Sequence, residues 1–239
     1  MSRVLTGIKE IDEATHGGIP SSDVTVLATS DDRTGSMVLG HYLMKGLKNG
    51  ETTLLISFEQ MNSFFENFQN HHFDFKKYYD SNKFLFFNFV PSIRHKIGFM
   101  QDYRALFQEI YRLCGQHKPS RIAIHQMDTL INLSNTHLTH LSSDKFSSAC
   151  RSRSAQNVTV LAQYIKFNDS THDGLSVALQ KSAAGYIDFL KKNDQTHDLE
   201  LKVKKMPWFD FELSSQTISS ERFHELIGKI KNKHSDAAA

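Results

Sequence analysis

The chain has 239 residues, and 28 basic against 26 acidic side chains give a formal net charge of +2. That length supports one large domain or two small ones, and is enough to bury a full core. With 23% charged and 39% apolar residues the composition excludes wholesale disorder. The near-balanced charge argues neither for nor against an acidic partner. Cys114 and Cys150 make no disulfide framework and fit a reducing compartment. The N-terminus lacks a hydrophobic signal core, and the dense apolar run Phe84–Val90 is too short to span a bilayer. A cytoplasmic protein without membrane insertion is therefore expected. Ala237–Ala239 reads as a cloning scar, leaving residues 1–236 as a single domain.

In chain order, Gly17-Gly18-Ile19-Pro20 marks a first turn that bars helix continuation. Val24–Ala28 is a β-branched strand, followed by a polar turn over Thr29–Arg33. A helix over Thr34–Lys48 carries Met37, Leu39, Leu43 and Leu47 and stops at Asn49-Gly50. Strand, short loop and helix are the layout of a phosphate-binding loop. Such a loop needs glycines, so that backbone N–H groups approach phosphate, and a lysine for the terminal phosphates. Thr29-Ser30-Asp31-Asp32-Arg33-Thr34-Gly35-Ser36 has one glycine and no lysine. Asp31 and Asp32 put negative charge where phosphate would sit. The scaffold of a nucleotide site is present without its chemistry.

Further along, Thr53–Phe58, Lys83–Val90, Arg121–Gln126 and Val158–Gln163 are apolar runs without strict alternation, expected of strands buried on both faces. Helices are expected over Ser63–Asn70, Tyr103–Gln116 and Phe146–Ala155, with a loop or broken helix over Leu133–Asp144. Gly185–Leu190, Leu199–Lys205 and Trp208–Leu213 alternate like antiparallel strands. Ser220–Lys231 has the stripe of a terminal helix, with Phe223, Leu226, Ile227 and Ile230. The pattern is α/β: a mainly parallel sheet flanked by helices, then antiparallel strands and a terminal helix.

Several of these segments together resemble the KaiC-like branch of RecA-fold ATPases. They are the lead-in Thr6–Pro20, the strand Val24-Thr25-Val26, the helix end Lys45–Glu51, Ser57-Phe58-Glu59-Gln60, Arg121–Ile124, Ala184–Ile187 and Val203–Met206. The resemblance covers roughly Leu5 to Leu213 and implies a RecA-like fold. It also shows departures. The family's Walker A loop falls on Thr29–Ser36, so that Gly35 stands for the essential lysine and Ser36 is left as a Mg²⁺ ligand. The Walker B acid falls on His125, which is no carboxylate for Mg²⁺. Of the paired glutamates that activate water, Glu59 remains and Gln60 replaces its neighbour. The K-M-R-G element that reaches a neighbouring subunit's nucleotide reads Lys205-Met206-Pro207-Trp208, with Pro207 in place of arginine. Losing lysine, metal ligand and trans arginine together should abolish phosphoryl chemistry.

These residues also admit plainer readings. Glu59 as a surviving base competes with a carboxylate left at a strand end. Asp31 and Asp32 as cation ligands compete with capping of the following helix. Asp128 would point away from the strand end and makes a poor substitute acid. His137 and His140 with His125 or His16 lack clustered metal-site spacing. Lys145, Arg151 and Arg153 make a thin nucleic-acid signal without interleaved aromatics. Cys150 reads as a buried thiol. The Phe64-Phe65-Phe68 cluster and Trp208 compete between a contact patch and core packing.

The sequence thus leads to an expectation. It is a catalytically inactive RecA-like protein acting as an interaction or scaffold subunit, in a homo-oligomer or a hetero-complex. The vestigial nucleotide site comprises Thr29, Asp31, Asp32, Arg33, Thr34, Gly35, Ser36, Glu59 and His125. Lys205, Pro207, Trp208 and Phe209 form the candidate interface. No cofactor, metal, nucleotide or nucleic acid is expected. A regulatory protein holding ATP through non-standard contacts, with Arg33 supplying charge, is the alternative. Weak single-strand binding through Lys145–Arg153 is the third reading.

Overall fold

The structure, a computed structural model, describes residues 2–57, 59–62, 73–88, 112–127, 158–166, 176–177, 179–192, 198–208, 215–219, 221–222 and 225. A short antiparallel pair, β1 (Arg3–Val4) with β2 (Ile19–Pro20), flanks helix α1 (Lys9–Ala14). Gly18 has φ 112°, and a Cβ there would stand 2.3 Å from the Val4 carbonyl oxygen, so the sharp return to β1 requires glycine.

The main sheet has eight strands. They are β3 (Val24–Thr29), β4 (Thr53–Ser57), β5 (Phe84–Asn88), β6 (Arg121–Ile124), β7 (Thr159–Ile165), β8 (Gly185–Lys191), β9 (Leu199–Lys205) and β10 (Ser215–Ile218). Their spatial order is β10-β9-β8-β3-β7-β6-β4-β5. Strands β3 to β8 run parallel, and β9 and β10 add antiparallel at one edge. Helix α2 (Asp32–Lys48) connects β3 to β4, and α3 (Phe75–Asp80) precedes β5. The mainly parallel sheet with late antiparallel strands is the architecture the sequence led us to expect.

Two details differ. Gly185–Leu190 is not purely antiparallel in character: β8 pairs parallel to β3 on one side and antiparallel to β9 on the other. Its near-complete burial on both faces explains why its side chains could not reveal the sense of pairing. The polar turn is also shorter than Thr29–Arg33, because Thr29 closes β3 and Asp32 already opens α2. Asp31, the N-cap, accepts from the Thr34 N–H at 2.8 Å and so starts the helix two residues early. The expected helices over Ser63–Asn70 and Phe146–Ala155, the segment Leu133–Asp144 and nearly all of Trp208–Leu213 lie outside the described residues. Of the expected terminal helix, residues 221, 222 and 225 are described and helical.

Strict two-residue alternation divides the core into two layers. Leu27, Leu55, Ala123, Leu161 and Ile187 face α1 and α2, in one cluster with Ile11, Met37, Leu39, Leu43 and Leu47. Val26, Ala28, Leu54, Ile56, Ile122, Ile124, Val160 and Ala162 face the other way and join Cys114, Leu179 and Ala183. Both layers are apolar, so the strands read as unbroken hydrophobic runs. Among the described residues no helix is long and apolar enough to cross a membrane.

Candidate functional site

The α2-facing positions of four neighbouring strands all turn polar at their C-terminal ends. Two residues after Leu27, Leu55, Ala123 and Leu161 come Thr29, Ser57, His125 and Gln163. All four of these polar residues are fully buried. The head of α2 lies against them. This is the edge of a parallel sheet where loops and helix N-termini ordinarily gather ligands.

His125 organises the cluster. Its Nε2 lies 2.8 Å from Asp32 Oδ1 and 2.8 Å from Ser36 Oγ, both on the first turns of α2. Its Nδ1 lies 3.1 Å from Ser57 Oγ, which itself accepts from the Glu59 backbone N–H at 3.0 Å. Ser57 therefore has its hydroxyl proton available for Nδ1, and Nε2–H points at Asp32. Asp32 Oδ1 also accepts from Gln126 Nε2 at 3.1 Å and Gln163 Nε2 at 3.5 Å. Burial works to raise the Asp32 pKa, but these bonds from His125, Gln126 and Gln163 outweigh it and hold the carboxyl below its usual range.

Gln163 closes the site from β7. Its amide also reaches Thr29 Oγ1 at 3.4 Å and accepts from the Gln126 N–H at 3.3 Å. It lies directly over Gly35, where an added Cβ would come within 2.0 Å of Gln163 Nε2. Gly35 is thus required by the glutamine that covers it. Beside this, Asp31 receives the Thr34 N–H and an ion pair from Lys191 Nζ at 3.1 Å. Burial would raise its pKa, yet Thr34 and Lys191 lower it overall.

The structure places Thr29, Asp31, Asp32, Thr34, Gly35, Ser36, Glu59 and His125 at this edge of the sheet. Arg33 is exposed on the first turn of α2. Sequence reasoning missed Gln163, Gln126, Ser57 and Lys191. A buried glutamine ending an apolar strand was the available signal for Gln163; Lys191 offered none. Asp31 caps the helix, whereas Asp32 turns towards His125. The ligand atoms of Asp32, Glu59 and His125 lie within 4.8 Å of one another, a grouping His16 does not join. Asp128, His137, His140, Lys145, Cys150, Arg151, Arg153, Phe64, Phe65 and Phe68 lie outside the described residues.

At the candidate interface, Lys205 Nζ donates to the carbonyls of Gln180, Lys181 and Ala183, the last at 2.6 Å. Trp208 donates through Nε1 to the Thr15 carbonyl at 3.1 Å, and the Arg3 guanidinium sits 4.4 Å from its ring centroid. Both side chains already hold internal elements in place. Pro207 is exposed, and Phe209 lies outside the described residues.

The family model for the KaiC ATPase matches residues 4–215. The chain belongs to the KaiC ATPase family. A UPF0273 protein of Saccharolobus solfataricus is 28% identical over 140 residues, which are 54% of this chain and 50% of that protein. The chain thus matches about half the length of that curated relative. A crystal structure of a KaiC-like protein from the hyperthermophilic archaeon Pyrococcus horikoshii superposes with a TM-score of 0.71 at 17% identity. The superposition covers 90% of this chain and 94% of that one, and supports the RecA-like fold. In this KaiC-family chain, the described cluster occupies the edge where β3 passes into α2.

Proposed function

We propose that this KaiC-family chain does not hydrolyse nucleotide and serves as a protein-interaction or scaffold subunit of a larger assembly, homo-oligomeric or mixed. One observation carries the reading: the protein supplies its own anion to the head of α2. The Asp31 carboxylate takes the Thr34 N–H, one of the helix N-terminal donors that a phosphate would use. Asp32 adds a second carboxylate, Gln163 fills the space over Gly35, and no lysine stands between Thr29 and Ser36. Ser36, the residue left to hold a nucleotide's Mg²⁺, lies 2.8 Å from the imidazole of His125. A nucleotide would have to displace the cap and bring phosphate against two carboxylates.

Thermal unfolding with Mg-ATP, ADP and GTP at millimolar concentration tests this, alongside phosphate release. A ligand at one hundred times its Kd stabilises a folded protein by about 2.7 kcal/mol. For a domain of this size that is a midpoint shift of roughly 5–10 °C. We expect neither shift nor phosphate release. Phosphate release would sink the proposal. A shift without release, lost on replacing Lys191 or Arg33 by alanine, would favour the regulatory nucleotide-binding reading. Lys191 beside Asp31 is the observation behind that second reading.

A further inference from the structure

The cluster at His125 also has the composition of a metal site, and it does so without any nucleotide. Its three groups come from separate places: Asp32 from the start of α2, Glu59 from just beyond β4, and His125 from just beyond β6. Their ligand atoms lie within 4.8 Å of one another. Ligands held about 2.0–2.2 Å from a shared zinc ion are separated by only a few ångströms, so small side-chain rotations suffice. His125 is fully buried, whereas Asp32 and Glu59 are partly exposed and leave an approach open.

The imidazole is oriented in the manner of a ligating histidine. Nδ1 is tied to Ser57 Oγ, which fixes the ring plane and aims Nε2 at Asp32. Metal-bound histidines characteristically have the second ring nitrogen held by such a partner. On metal binding Nε2 gives up its hydrogen and Nδ1–H donates to Ser57. Ser57 in turn accepts from the Glu59 N–H, so the residue that orients the imidazole also anchors the backbone of the third ligand. Among the described residues the Glu59 carboxylate has no hydrogen-bond or ion-pair partner.

We propose that Asp32, Glu59 and His125 bind one first-row divalent transition ion of the zinc class directly in the nucleotide-free protein. An imidazole with two carboxylates suits zinc, cobalt or manganese better than magnesium, which favours an all-oxygen octahedron and keeps its waters. The proposal stands whether or not the chain hydrolyses nucleotide.

The test is titration of the metal-free, nucleotide-free chain with Co²⁺, read by its visible absorption bands, and with Zn²⁺ by competition. We expect one saturating ion per chain, displaced by equimolar Zn²⁺ and not by a large excess of Mg²⁺. Glu59→Gln, which leaves the buried network intact, should weaken binding at least about tenfold, and His125→Asn should abolish it. Because the chain has 13 histidines, binding unchanged in both variants would put the ion elsewhere and overturn the proposal. Absence of stoichiometric binding by the wild type, or displacement by Mg²⁺ as readily as by Zn²⁺, would overturn it too. Should His125→Asn fail to fold, Glu59→Gln alone decides.

Discussion

Strand β6 is only four residues long, yet it carries a different polar device at each end of its α2 face. At its start Arg121, 3% exposed, makes a two-point contact with Glu51, through Nε at 2.6 Å and Nη2 at 2.9 Å. Nη1 of the same guanidinium donates to the carbonyls of Leu5 and Tyr42, and its plane lies 5.1 Å from the Tyr42 ring centroid. Just past the other end, His125 makes its contacts with Asp32, Ser36 and Ser57. Both ends use a glycine in α2 to let a sheet side chain come close, Gly46 beneath Arg121 and Gly35 beneath Gln163. The difference lies in where each network finishes. The Arg121 end closes on backbone carbonyls and one carboxylate, and ties the lead-in, α2 and β6 together. The His125 end runs out to carboxylates that are partly open to solvent. One is a clamp and the other a site.

That contrast can be broken from the clamp side first. Arg121→Ala removes the contacts to Glu51, Leu5 and Tyr42 at once and leaves the partly buried Glu51 carboxylate without its guanidinium. It should cost about 3–4 kcal/mol, which equilibrium denaturation would read, with a fall of roughly 10 °C in Tm. A loss comparable to an ordinary surface substitution would refute the clamp.

Next come the two glycines. A Cβ on Gly35 would approach Gln163 Nε2 at 2.0 Å, while one on Gly46 would approach Arg121 at 2.7 Å. Gly35→Ala should cost about 2 kcal/mol and Gly46→Ala somewhat less, both through overpacking. The Gly35→Ala penalty should largely disappear in a Gln163→Ala background, which a double-mutant cycle measures. An additive result would mean that Gln163 is not what excludes a side chain at that position.

The acid limb of stability separates the ends in another way. Hydrogen bonds from Arg121 hold the Glu51 pKa below its usual 4.5 against opposing burial. Because the folded value is the lower one, the stabilisation is full above the ordinary carboxylate range. It is lost as the pH falls from there through the folded value. Glu51→Gln should therefore cost about 1–2 kcal/mol at neutral pH, less than a fully buried pair because Glu51 is partly exposed. It should also flatten the decline between pH 5 and the acid range by about the same amount. An acid limb of unchanged slope would show that the pair is not a source of that dependence.

The smallest effect belongs to the cap. Asp31→Ala removes the acceptor for the Thr34 N–H and the partner of Lys191, at about 1 kcal/mol. Asp31→Ser, which keeps a cap but not the charge, should recover most of that in the same denaturation experiment.

The fold was legible because it rests on local patterns repeated along the chain. β3, β4, β6 and β7 are apolar runs bounded by polar turns, and α2 has helical periodicity with a stop at Asn49-Gly50. The edge loop could be placed too, since strand, turn and helix are consecutive. The covering residues were harder. Gln163 is 128 positions beyond Gly35, and only the parallel pairing of β3 with β7 lays one over the other. Lys191 meets Asp31 for the same reason, through the pairing of β3 with β8. Trp208 left a contact patch and core packing both open in the sequence, and its indole N–H is spent on the Thr15 carbonyl, 193 positions away.

Residue pattern in one dimension was thus enough for the α/β architecture and the family. Periodicity, turn residues and substitutions at fixed spacing are local properties and survive in one dimension. That Asp31 caps α2 while Asp32 turns to His125 emerges from three-dimensional packing. The same packing set Gln163 over Gly35 and drew Asp32, Glu59 and His125 together. Those arrangements depend on strand order and on which face each residue takes, and the packing of α2 across the sheet fixes both.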